Sequence, residues 1–157
     1  MIENDEYQLR GQRVEKLEPE AIDKVAQKIV AMFKIKPSVL KKMDVFIEYL
    51  WNEHSLNIEM VEDSKWLNVA DALCDPSTFT IAMPQSLYFK ITKEHDLPSI
   101  YILFHEIGHL TLGHKAVLHH AVTQPTECED SEWQADYFAG AVLDLLGEYR
   151  YKQLTLF

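Results

Sequence analysis

Two histidines and a glutamate lie close together in one of the most apolar stretches of the chain, IYILFHEIGHLTL. His105, Glu106 and His109 form the pattern H-E-x-x-H. Residues four apart on a helix share one face, so both imidazoles could reach one divalent ion while Glu106 serves a water molecule beside it. A metal ion would also offset the cost of burying these groups. The alternative is a pair of core histidines with ordinary hydrogen-bond partners.

A catalytic zinc site needs a third protein ligand and one open position. The metzincin pattern requires histidine at position 115 and glycine at position 112, where this chain has Lys115 and Leu112. That class is therefore excluded. His114 would point about 140° round a continuing helix from His109, so we interpret it as a helix-end residue.

The third ligand is expected in the downstream stretch ECEDSEWQADYFAGAVL. Glu132 stands among apolar residues there, and Asp136 follows one helical turn later. We interpret Glu132 as a zinc ligand and Asp136 as the acceptor of the other N–H of a ligand histidine, which would fix that ring's tautomer. Glu129 is the alternative ligand, although acidic residues at a helix start are also favoured by the helix dipole alone.

Hydrophobic periodicity predicts helices over about 19–34, 37–54, 96–113 and 126–146, with helix-end signals at Asp96, Thr126 and Gly147. Four strands are predicted between the second and third helices, in LNIEMVED, WLNVADAL, TFTIAMP and SLYFKIT. This order predicts an α+β fold, with helices packed on a small, mostly antiparallel sheet. The H-E-x-x-H motif would lie on a central helix and the third ligand on the helix that follows.

The bulk composition fits one globular domain of 157 residues. Residues 1–18 lack apolar periodicity and are expected to form a loose N-terminal arm before a single domain over 19–157. A net charge of −10 argues against a general nucleic-acid binder. Two cysteines, an acidic N-terminus and the lack of a long apolar run predict a cytoplasmic protein without a membrane segment.

One basic segment stands out in this acidic chain. Between Lys24 and Met43 there are six lysines and no acidic residue. A solvated helix face is the simplest interpretation, and a docking patch for an anionic partner is the alternative. The lysine patch comprises Lys24, Lys28, Lys34, Lys36, Lys41 and Lys42.

The stretches FHEIGHLTLGH, EWQADYFAGAVL and ADALCDPSTFTIAMP resemble the ImmA/IrrE family of metallo-endopeptidases. The resemblance implies a zincin-like, gluzincin-type metallopeptidase domain with one Zn²⁺ held by His105, His109 and Glu132, and with Glu106 as general base. It also implies a protein substrate, a helix-turn-helix repressor encoded nearby. Cleavage of that repressor would induce a mobile element, a phage-defence operon or a DNA-damage response. The chain departs from the family in having ADALCD where glycine often precedes the turn.

The resemblance suggests roles for two further features. It places Cys74 beside the active site, where a thiolate could fill the open zinc position and hold the enzyme latent. The alternative is that Cys74 is a small buried hydrophobe. The link to DNA damage suggests that the lysine patch binds single-stranded DNA as an activator, or an acidic face of the repressor.

The expected reaction is peptide hydrolysis, in which Glu106 takes a proton from water and passes it to the leaving amine. Candidates for the oxyanion donor are His119, His120, Tyr88 and Tyr101, and a strand edge near TFTIAMP could bind substrate. Two other functions stay open. One is a zinc-binding regulatory or toxin-type module that acts without hydrolysis, and the other is a zinc hydrolase for a non-peptide bond.

Overall fold

The computed structural model describes residues 6–67, 70–114 and 124–148. Within these residues the chain forms five α-helices and one three-stranded sheet, which confirms a mixed α+β architecture. In chain order the elements are α1 (Pro19–Met32), α2 (Met43–His54), β1 (Asn57–Val61), β2 (Leu73–Asp75), β3 (Thr80–Pro84), α3 (Gln85–Thr92), α4 (Leu97–Thr111) and α5 (Ser131–Leu145). Short 3₁₀ turns cover Pro37–Lys41, Asp63–Lys65 and Glu127–Glu129.

The sheet is mixed, so the expectation of a mostly antiparallel sheet is wrong. β3 lies in the centre, parallel to β1 and antiparallel to β2. The parallel pairing is the longer of the two, running from Asn57 opposite Thr80 to Val61 opposite Pro84. Alternation along a strand determines which side chains share a face, but it carries no information about the direction of the neighbouring strand.

Two of the four predicted strands differ in the structure. SLYFKIT belongs to α3, where Leu87 and Ile91 are four residues apart and both buried. That spacing is helical, and it outweighs the apparent alternation of the segment. Of the strand predicted over WLNVADAL, only its end at Leu73 lies in β2, while residues 68 and 69 lie outside the described residues.

The helix-end signals are largely correct. The Asp96 carboxylate accepts a hydrogen bond from the backbone N–H of Ser99 at 3.2 Å and caps α4. The predicted box between Thr126 and Glu129 forms, but it encloses a 3₁₀ turn, and α5 is capped instead by Asp130. Gly147 has φ +87° just beyond α5, the left-handed conformation expected of a residue that follows a helix.

The interior is organised around α4, which packs most extensively against α5. Ile100, Leu103, Phe104 and Ile107 of α4 are fully buried in a core that α1, α2, α3 and the sheet complete. The motif-bearing helix is therefore central, as its apolar flanks predict. Among the described residues, no helix combines the length and apolarity needed to cross a membrane.

The N-terminal arm is docked rather than loose over its described part, residues 6–18. Val14 is buried, and its backbone N–H donates to the Glu129 carbonyl at 2.8 Å. The backbone N–H of Leu17 donates to the Cys128 carbonyl at 3.0 Å. The partners lie more than a hundred residues away along the chain, so local periodicity could not reveal this contact.

Candidate metal centre

Three side chains from the helices α4 and α5 converge on one another. His105 and His109 lie one turn apart on α4, and their Nε2 atoms are 3.1 Å apart. Glu132 in the first turn of α5 faces both, with Oε2 2.9 Å from Nε2 of His105 and Oε1 3.2 Å from Nε2 of His109. One ligand atom from each of the three lies within 4.8 Å of the others, so the group could hold a metal ion.

The spacing of these atoms fits a small tetrahedral ion. Metal–ligand bonds of about 2.0–2.1 Å place tetrahedral ligand atoms about 3.3–3.4 Å apart. The observed separations of 2.9, 3.1 and 3.2 Å are a few tenths of an ångström shorter. A small outward movement of each side chain would therefore admit an ion. The donor set of two imidazoles and one carboxylate leaves a fourth position for water or substrate.

Close packing of α4 against α5 brings Glu132 to the histidines. Gly108 lies between the two histidines along α4, and a Cβ there would be only 2.9 Å from Cδ1 of Phe138. On α5, Phe138, Ala135 and Ala139 are fully buried. The absence of a side chain at Gly108 allows α5 to approach closely, as the small residues of both segments predict.

Asp136 lies against the ring of His105, as expected from its position one turn after Glu132. Nδ1 of His105 is 2.8 Å from Oδ1 of Asp136, which leaves Nε2 facing His109 and Glu132. The same carboxylate accepts a hydrogen bond from the Tyr101 hydroxyl at 2.8 Å and forms an ion pair with Arg10 at 2.8 Å. Burial lowers the pKa of His105, but the hydrogen bonds to Asp136 and Glu132 outweigh it and raise that pKa to about 9. Hydrogen bonds with His105 and His109 hold the pKa of Glu132 well below its usual range.

Glu106 faces the same cleft but is not part of the converging group. Its side chain is buried, with 7% exposure, and burial raises its pKa. The thiol of Cys74 on β2 lines the same cleft as Glu106. Burial, followed by the charge of Glu106, raises the pKa of this thiol to about 12. Cys74 thus lines the cleft, as expected from the sequence, but among the described residues it is not part of the group formed by His105, His109 and Glu132.

His114 is a site residue that the sequence pattern did not predict. α4 ends at Thr111, and Gly113, with φ +64°, turns the chain so that His114 points back toward the site. Its Nδ1 is 2.8 Å from Nδ1 of His109, and its Nε2 is 2.7 Å from Oε1 of Gln134. Burial lowers the pKa of His114 to about 4, so the ring is neutral. The glycine directly before His114 was the available signal that the helix does not continue through it.

Several other predicted residues are not brought into the centre. Glu129, the alternative ligand, is paired with Arg13 at 2.7 Å and belongs to the junction with the N-terminal arm. Tyr101 lines the cleft, but its hydroxyl is bonded to Asp136. Tyr88 lies on α3, and among the described residues it is not part of the cleft wall. His119 and His120 lie outside the described residues.

The group opens into a cleft of about 720 Å³. Its walls include Arg10 and Gly11 of the N-terminal arm, Leu73 and Cys74 of β2, and Tyr101 of α4. The strand TFTIAMP, proposed as an edge for substrate, is the central strand β3 and is paired on both sides. The strand that borders the cleft is β2, which lies at the edge of the described sheet.

The lysine patch lies on the surface, since all six lysines are exposed. Lys34 and Lys42 border a separate cavity of about 220 Å³ whose other walls include Phe33, Phe46 and Tyr49. Phe33 and Phe46 are themselves buried. The cavity is therefore apolar with a basic rim, and these two rings are not available as open stacking surfaces.

Comparisons with protein-family models, curated proteins and solved structures returned no match. These comparisons therefore assign the chain to no family.

Proposed function

We propose that this protein is a zinc-dependent endopeptidase that cleaves a partner protein. The observation that carries the proposal is the convergence of His105, His109 and Glu132 in an open cleft that also contains the buried carboxylate of Glu106. Two imidazoles and one carboxylate form a donor set suited to zinc and poorly suited to calcium or magnesium, which prefer oxygen ligands.

In this proposal each site residue has a distinct role. His105, His109 and Glu132 hold the ion, which when bound would polarise the scissile carbonyl and lower the pKa of water to about 7. Glu106 takes the proton from the attacking water and donates it to the leaving amine. Asp136 keeps the proton of His105 on Nδ1, so that Nε2 is free to bind metal.

The substrate would bind as an extended segment beside β2. An edge strand offers backbone donors and acceptors that a substrate strand can use, and β2 forms one wall of the cleft. On the resemblance to the ImmA/IrrE family, the substrate is a helix-turn-helix repressor encoded nearby. This narrower assignment is supported by the sequence motifs, whereas peptide hydrolysis is also supported by the site geometry.

Two substitutions test the proposal together. Glu106→Gln should retain one zinc per chain but abolish cleavage, because Glu106 serves the water and not the ion. Glu132→Ala should lose both the zinc and the activity. Metal content by atomic emission and cleavage of the neighbouring repressor, followed by gel electrophoresis and mass spectrometry, would be measured on the same samples.

The outcomes separate the competing functions. An empty Glu106→Gln together with a fully loaded Glu132→Ala would reverse the assigned roles. Zinc-loaded wild type that binds the repressor without cutting it, and whose regulatory effect survives Glu106→Gln, would favour the non-hydrolytic regulatory module.

A further inference from the structure

Each of the two ligand histidines has its second ring nitrogen bound by the protein, and the two partners differ. For His105 the partner is Asp136, a carboxylate. For His109 the partner is another imidazole, that of His114. Metal-binding histidines keep their orientation and tautomer through such partners, so both contacts bear on the affinity for the ion.

The hydrogen bonds that run from His109 through His114 to Gln134 are consistent with one placement of the protons on the two rings. If Nε2 of His109 faces the ion, its Nδ1–H donates to Nδ1 of His114 at 2.8 Å. The Nε2–H of His114 then donates to Oε1 of Gln134 at 2.7 Å. The amide N–H groups of Gln134 donate to the carbonyls of Glu15 at 2.9 Å and Cys128 at 2.6 Å. Gln134 is fully buried, so this side chain is held in one orientation.

Both orienting paths end on the N-terminal arm. The path from His109 ends at the Glu15 carbonyl, and the path from His105 through Asp136 ends at the guanidinium of Arg10. The N-terminal arm and α5, which are more than a hundred residues apart along the chain, therefore meet behind the two ligand rings.

The N-terminal arm is seated on the start of α5 by the buried Asp130. That carboxylate accepts hydrogen bonds from the Tyr7 hydroxyl at 2.6 Å, the Arg10 N–H at 2.8 Å and the Gly11 N–H at 3.1 Å. A Cβ at Gly11 would lie 2.5 Å from Oγ of Ser131 and 2.7 Å from Cγ of Glu132. The backbone of the arm at Gly11 thus lies so close to Glu132, the third ligand, that no side chain fits between them.

We propose that His114, Gln134, Arg10 and the backbone carbonyl of Glu15 are positioning elements of the metal centre, which set its affinity by fixing the rings of both ligand histidines. The inference rests on the metal site of the proposed function but not on peptide cleavage. It assigns the arm a part in ion binding, although the described residues of the arm supply no ligand.

The first test distinguishes the loss of the hydrogen-bond acceptor at His114 from a general loss of packing around it. His114→Leu removes the acceptor, whereas His114→Asn keeps an oxygen near the position of Nδ1. Zinc dissociation constants from chelator competition should rise about 10–100-fold in His114→Leu and stay within about threefold of wild type in His114→Asn. In proton NMR spectra of the zinc-loaded protein, the Nδ1–H signal of His109 should disappear in His114→Leu, while the Nδ1–H signal of His105 remains.

The second test uses two arginines of the arm that each pair with an acidic residue. Arg10 binds Asp136, behind a ligand, whereas Arg13 binds Glu129, away from both ligand rings. Because Arg10 is half exposed, Arg10→Met should weaken zinc binding by only about two- to fivefold. Arg13→Met should leave zinc binding unchanged, and thermal denaturation of the metal-free variants would report any loss of folding.

Three results would overturn the inference. The first is wild-type zinc affinity in His114→Leu. The second is equal weakening in His114→Asn and His114→Leu, and the third is equal weakening in Arg10→Met and Arg13→Met. Absence of proteolysis in the wild type would refute the proposed function but would leave these zinc affinities, and the inference drawn from them, intact.

Discussion

Gly108 lies on α4 where Phe138 of α5 crosses it, and its replacement by alanine perturbs the packing that places Glu132. The added Cβ would lie 2.9 Å from Cδ1, 3.2 Å from Cγ and 3.3 Å from Cβ of Phe138. Phe138 is fully buried, so its ring has no solvent-filled space into which to move. The two helices must therefore separate slightly, or the ring must leave its preferred rotamer.

The expected loss of stability is the difference between two effects. Overpacking of this kind costs about 1–3 kcal/mol. Alanine in place of a helical glycine stabilises the helix by about 0.8–1 kcal/mol. The net destabilisation of Gly108→Ala is then about 1 kcal/mol, within about 0–2. For a domain of this size it corresponds to a decrease in Tm of about 2–4 °C.

The same substitution should weaken zinc binding. Glu132 precedes Phe138 by six residues on α5, so a shift of that helix moves the carboxylate away from His105 and His109. Differential scanning calorimetry of metal-free Gly108→Ala would give the change in stability, and chelator competition would give the change in zinc affinity. The double variant with Phe138→Leu serves as control, because the destabilising effect of alanine at position 108 should be smaller when the ring is absent.

An increase in Tm on Gly108→Ala, with zinc affinity unchanged, would refute this reasoning, since helix propensity alone would then govern the site. If Gly108→Ala destabilised the protein equally with and without the Phe138→Leu substitution, the contact with the ring would not be the cause.

Three further predictions concern residues around the centre and the surface. Asp136→Asn should lower zinc affinity or activity about 10–100-fold, because the amide no longer provides the charged acceptor for His105; wild-type affinity by chelator competition together with wild-type cleavage would contradict it. If the Cys74 thiol keeps the site latent, Cys74→Ala should raise the basal rate of repressor cleavage, and a rate no higher than wild type would count against latency. If the lysine patch recruits single-stranded DNA, that DNA should stimulate cleavage more at low than at moderate salt, and the stimulation should be lost when four lysines are replaced by glutamate. Lack of stimulation in the wild type, or its survival in the variant, would refute the DNA form of the hypothesis. The four lysines are Lys34, Lys36, Lys41 and Lys42.

Much of the candidate site followed from local pattern, because its central part lies within single helices. His105 and His109 share a face by helical periodicity alone, and the apolar flanks of the motif place that face inside the molecule. Glu132 stood out because it is an acid among apolar neighbours. The caps at Asp96 and Gly147 are equally local, since each depends on hydrogen bonds or dihedral angles within a few residues.

The chain's sequence by itself thus determined the helix that carries the motif, the pair of imidazoles that could share one metal ion, and the candidates for a third ligand. Tertiary structure alone decided what surrounds that group. The direction of β1 beside β3 and the position of Cys74 in the same cleft as Glu106 depend on neighbours that no local period encodes. His114 entered the site because Gly113 turns the chain back, and the N-terminal arm entered through hydrogen bonds to groups more than a hundred residues away. Periodicity reports the geometry within one element, whereas the partners of a ligand are set by how separate elements pack.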